Sequence, residues 1–181
     1  MYKSSIQTEP HRTHRSGAVV LELILTAPAF LMIMLAIIQI SLVYTVIEQT
    51  AYASRYAAKI ASETASGSLS TIVSNGNLKG AVDRVLRTGG LSQGSCRVIL
   101  EENAPSGGTE QTYVAPTSSC DCDPPASSLP SVANSTENAS VRTTVCVRLG
   151  GNVPDFLKTF GFSIEDFLVV ESTTFLYEYE P

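Results

Sequence analysis

The feature that most constrains this chain is an uncharged run of 25 residues from Leu23 to Ile47. As a helix it extends about 37 Å, enough to cross a hydrocarbon core of about 30 Å. A buried core helix is rarely so long. A cleaved secretory signal is a poorer fit, because its apolar region spans only about 7–15 residues and this run has no small-x-small site at its end. Charged residues make up 16% of the chain, against roughly 25% in an average soluble domain.

The charge is unevenly placed. Residues 1–17 carry Lys3, Arg12 and Arg15 against Glu9 alone, a net +2. The other residues carry 9 basic and 16 acidic side chains, a net −7. The basic start fits a segment held on the cytoplasmic side of a membrane. The acidic remainder does not suit nucleic-acid phosphates. His11 and His14 read as polarity of this leader, not as ligands.

Between the two regions lies Arg15-Ser16-Gly17-Ala18-Val19-Val20-Leu21-Glu22. A carboxylate at the start of an apolar helix is expensive in a membrane and calls for a partner. If the bond after Gly17 is cut, Ala18 gains a charged amine about 6 Å along the helix from Glu22, and the two can pair. A bare Gly backbone suits entry to a protease cleft. The competing reading is an ordinary anchor whose Glu22 sits at the headgroup level. Pro28 lies inside the run, where it removes a donor and predicts a kink.

Helical periodicity continues to about Ser66. Ile47, Ala51, Ser54, Ala58, Ala61 and Ala65 form one stripe, and Glu48, Tyr52, Arg55, Lys59 and Glu63 a polar one. A short helix is predicted from Leu78 to Arg87, closed by Gly89-Gly90. Strands are predicted at Arg97–Glu101, Gln111–Ala115, Val141–Leu149 and Val169–Glu180, and a short helix at Pro154–Phe160. Residues 116–140, rich in Pro, Ser and Asn, read as a long loop. The fold class is α+β: a long N-terminal transmembrane helix extending into a small antiparallel-sheet domain.

Cys96, Cys120, Cys122 and Cys146 all fall in the C-terminal half. An even number in an exported domain favours disulfides over zinc, since Cys120-Asp121-Cys122 lacks the usual spacer. Alternation places Cys96 with Val98 and Leu100, and Cys146 on the polar face with Arg142. A 96–146 bridge is therefore disfavoured, and each loop cysteine is expected to join one strand cysteine, in an order left open. Glu101-Glu102 reads as a solvated strand end. Asn134 and Asn138 begin glycosylation-type triplets of low specificity. No nucleophile–base set, phosphate loop or metal cluster is recognisable, so no catalytic residue, cofactor or enzymatic activity is expected.

The segment Gly17-Ala18-Val19-Val20-Leu21-Glu22-Leu23-Ile24-Leu25-Thr26-Ala27-Pro28, with Gln49-Thr50-Ala51-Tyr52-Ala53-Ser54-Arg55-Tyr56-Ala57-Ala58 after the apolar run, resembles the TadE-like family of tight-adherence (Flp-type) pilus systems. The pattern Val141-Arg142-Thr143-Thr144-Val145-Cys146-Val147 is similar to that family's ending. The resemblance implies a pilin-like fold and cleavage by a prepilin peptidase between Gly17 and Ala18, with Glu22 as the pilin-type glutamate. It further implies a minor pseudopilin whose partners are other pilin subunits, the assembly platform and membrane lipid. The expected organisation is a leader at 1–17, a transmembrane helix with extension at 18–66, and an extracytoplasmic domain at 67–181, in the inner membrane or a pilus. The alternative is an uncleaved, membrane-anchored binding module.

Overall fold

The computed structural model describes residues 16–103, 110–130 and 140–177. The leader up to Arg15, Asn134, Asn138 and the chain from Glu178 onward lie outside the described residues.

Helix α1 runs from Ser16 to Ser62 and passes unbroken through Pro28. It ends four residues earlier than the periodicity suggests, and Ser66–Ser68 form a separate 3-10 turn. Helix α2, Leu69–Ser74, buries Leu69 and Val73. Helix α3, Asn77–Thr88, buries Leu78, Val82 and Leu86, spaced four apart so that they share one face. Gly90, at φ +92°, turns the chain out of α3, and the Leu91 N–H returns to the Leu86 carbonyl at 3.0 Å. A side chain with a Cβ rarely adopts that φ.

Four strands follow: β1 Arg97–Glu102, β2 Gln111–Ala115, β3 Ser140–Arg148 and β4 Leu168–Leu176. They form one antiparallel sheet in the order β2-β1-β3-β4. In register, Leu100 lies opposite Thr143, and Thr143 opposite Thr173. The inner face carries Val98, Leu100, Val141, Val145, Val147 and Val169. Alternation explains this set, because side chains two apart point to one face.

The core lies between that face and the second half of α1. Val46, Ala53, Ala57 and Ala61 are buried there with the apolar residues of α2 and α3. Alanine at these positions lets the helix axis approach the sheet closely. Thr173 and Ser54 hydroxyls meet across the contact at 2.7 Å. The folded domain therefore draws its core from both sides of the expected boundary at residue 66. The expected stripe is only partly right: Ser54, Ala58 and Ala61 are buried, Ala65 is exposed, and Val46, Thr50, Ala53 and Ala57 complete the contact. The polar stripe Glu48, Tyr52, Arg55, Lys59 and Glu63 is exposed throughout.

The predicted helix at Pro154–Phe160 is reduced to a 3-10 turn at Lys158–Phe160. The chain there is committed elsewhere: the Leu157 N–H donates to the Gln39 side chain, and the Asp155 carboxylate accepts from Ile164 and Ser163.

Candidate functional site

The first half of α1 is unlike any other part of the fold. From Val19 to Ile38 none of its side chains is buried, although Leu21, Leu23, Ile24, Leu25, Phe30 and Ile37 are among them. These 20 residues rise about 30 Å, matching one hydrocarbon core. The helix is long and apolar enough to cross a membrane. Among the described residues no other element covers this half of the helix, which is compatible with a single-pass membrane anchor.

Gly17 and Ala18 lie in the first turn of α1, and Glu22 one turn on. A Cβ added at Gly17 would meet nothing within 4 Å, so nothing among the described residues demands glycine there. The Thr26 hydroxyl donates to the Glu22 carbonyl at 2.9 Å, and lies 3.4 Å from that of Leu23. Pro28 lacks the N–H that the Ile24 carbonyl would otherwise receive.

The exposed half ends at Gln39, the first residue of α1 after Val19 that is buried. Its amide donates to Asp155 at 3.2 Å and accepts from the Leu157 N–H at 3.1 Å. The Ile164 N–H, then the Ser163 hydroxyl and Gln39 amide, hold the Asp155 carboxyl below the usual range, because each bond favours the charged form. Sequence reasoning missed this junction. Its signal was a lone amide in the uncharged run.

The cysteines form a second group on the outer face of the sheet. Cys96 is joined to Cys120 and Cys122 to Cys146, with Cα separations of 5.8 and 6.6 Å. Each loop cysteine thus takes a separate partner, one just before β1 and one within β3. Cys96, however, packs with Ile99 and Cys146, not with Val98 and Leu100. It precedes β1, so strand alternation does not govern it. Each bridge closes a separation of 24 residues, worth about 3.5 kcal/mol of chain entropy. They pin the loop after β2 over Ile99, where Arg97 also donates to the carbonyls of Cys122 and Thr117 at 2.7 and 3.1 Å.

Glu101 and Glu102 are not a solvated strand end. Both are buried. Arg142 forms two bonds with the Glu101 carboxylate, at 2.6 and 2.8 Å, and donates to the Ser127 and Pro125 carbonyls at 2.6 and 3.1 Å. The Glu101 bonds raise the guanidinium's affinity for its proton. Glu102 accepts from the Tyr177 hydroxyl at 3.2 Å. Burial, and then the Glu102 charge, push the Tyr177 phenol well above its ordinary value; Tyr113 shifts the same way for the same reasons. These groups bind structure to structure. Among the described residues no group of three or more His, Cys, Asp or Glu side chains is placed to hold a metal.

The family model described as TadE-like protein matches residues 17–59. That stretch is most of α1, including Gly17, Ala18, Glu22 and Pro28, and none of the sheet. The resemblance read from the sequence therefore holds over that segment. No curated protein and no solved structure matches the chain.

Proposed function

We propose, with the TadE-like match over residues 17–59 as premise, that this chain is a minor pilin or pseudopilin subunit of a tight-adherence pilus. Residues 1–17 are its leader, removed by a prepilin peptidase between Gly17 and Ala18. The first half of α1 crosses the inner membrane with its N-terminus cytoplasmic, and the sheet domain lies outside. Its role is structural, in contact with other pilin subunits and the assembly platform, and it needs no cofactor. One observation carries the reading: a Gly-Ala pair and one carboxylate open a helix in which no side chain from Val19 to Ile38 is buried. A bare span of this kind suits a subunit that passes from lipid into a filament, where neighbouring spans replace the lipid. The new amine of Ala18 and the Glu22 carboxylate then neutralise one another, within one subunit or between two.

The rival is an uncleaved, permanently anchored binding module. N-terminal sequencing of membrane-extracted protein separates the two. The pilin reading expects Ala18 as the first residue, and expects Gly17→Val to retain the leader. Open space around Gly17 means that this retention reports on the peptidase and not on misfolding. Intact Met1 in cells with an active prepilin peptidase refutes cleavage and favours the anchored module.

A further inference from the structure

Four of the six phenylalanines of the chain fall in one short segment between β3 and β4. Phe156, Phe160, Phe162 and Phe167 are 39%, 47%, 69% and 62% exposed. Aromatic rings of this size ordinarily bury most of their surface, and a cluster of exposed ones marks a contact surface. We propose that this segment, residues 154–167, is a second lipid contact, seated in the headgroup–acyl boundary of the membrane surface where α1 emerges. The inference rests on reading the first half of α1 as a membrane span.

Depth is the first argument. The segment is tied to α1 at Gln39 through the Asp155 carboxylate and the Leu157 N–H. Gln39 follows directly on the uncovered 20 residues from Val19 to Ile38, which account for about one hydrocarbon thickness. The tether therefore holds Phe156, and with it the segment, at the outer edge of the core. Tyr44 lies little more than one turn beyond Gln39 and is exposed; an amphipathic ring at that height is typical of the interface.

Polarity is the second. The charges of the segment are largely paired: Asp155 accepts from three donors, and Lys158 is ion-paired with Glu165. Paired groups lose less on leaving bulk water. Asp155, Lys158, Glu165 and Asp166 sum to −2, so anionic headgroups are disfavoured. The occupant is the boundary zone of zwitterionic lipid, held by ring burial and not by charge.

The chain contains no tryptophan, so each single Trp is a sole reporter. The full chain would be placed in zwitterionic nanodiscs made with lipids brominated near the headgroup or near the chain ends. Phe162→Trp and Phe160→Trp test the segment, Phe30→Trp the span, and Tyr52→Trp a position further out on α1. Shallow bromines should roughly halve the emission of the two segment reporters, as fits a depth of about 5–10 Å into the boundary. Quenching should persist at one chain per disc, and in roughly 0.5 M salt, where charge attraction is screened within a few ångströms. Phe30→Trp should respond most to deep bromines, and Tyr52→Trp to neither. Unquenched segment reporters beside a quenched Phe30→Trp overturn the lipid contact and leave the span intact. An unquenched Phe30→Trp overturns the span, and this inference with it. A blue shift that needs two or more chains per disc and is insensitive to bromine assigns the rings to a second copy instead. If one segment variant fails to fold, the other gives the reading.

Discussion

Arg142 is the residue whose loss has the most calculable consequence. Its side chain and that of Glu101 are 6% and 7% exposed, in a two-bond pair. Arg142→Met keeps the chain's bulk and removes the charge. The buried Glu101 carboxylate then has no counter-charge, and removing one partner of a buried ion pair costs about 3–5 kcal/mol. The Ser127 and Pro125 carbonyls also lose their donor, but both residues are exposed and water can replace it. The loss corresponds to roughly 6–20 °C in thermal midpoint for a chain of this size. The assay is thermal unfolding of the full chain in detergent, followed by circular dichroism at pH 7, parent against variant. Adding Glu101→Gln removes the stranded charge and should recover a large part of the loss. A deficit below about 1 kcal/mol, the range of a solvent-exposed pair, would refute the claim that the carboxylate is buried and dependent on Arg142.

Two further outcomes follow from the core. Ala57 is fully buried within the cluster between α1 and the sheet, so Ala57→Leu should overpack it and lower stability by about 1–3 kcal/mol, while Tyr56→Leu on the exposed side should not; equal midpoints would show that the helix does not rest on the sheet there. The raised Tyr177 phenol contributes stability that is complete below the free tyrosine value of about 10 and is lost as pH climbs toward its own higher value. Tyr177→Phe should therefore show a shallower fall in midpoint above about pH 10 than the parent, and parallel curves would contradict the burial argument.

How much of this was legible depended on how local the cause was. The long apolar helix, the Gly17–Glu22 adjacency and the strands β2 and β3 are written in neighbouring residues, and the alternation at Val141–Val147 assigned the right face. Glu101 and Glu102 were misread because their partners, Arg142 and Tyr177, lie 41 and 75 residues away. The helix stripe was rotated because alanine occupies several adjacent faces of α1, and only the sheet decides which one is covered. The helix expected at Pro154–Phe160 has plausible local signals, but Gln39, far upstream, takes the Leu157 N–H. The wrong face for Cys96 arose from extending strand alternation one residue beyond the strand.

The buried face of α1 has a property that bears on how such a chain is made. Its hydroxyls are answered within the helix itself: Thr50 bonds the Val46 carbonyl, Ser54 that of Ala51 and Ser62 that of Lys59. The N-terminal half of the core is synthesised first and must wait for β1 to β4, the last of which begins more than a hundred residues later. During that interval only the Gln39 amide, at the start of this face, waits for partners in Asp155 and Leu157; from Val46 onward the face offers methyl groups and self-satisfied hydroxyls, with no unanswered donor from Thr50, Ser54 or Ser62. A helix whose hydroxyls are answered in this way needs nothing from the sheet to satisfy them, and the sheet can be laid against it strand by strand once the rest of the chain has followed.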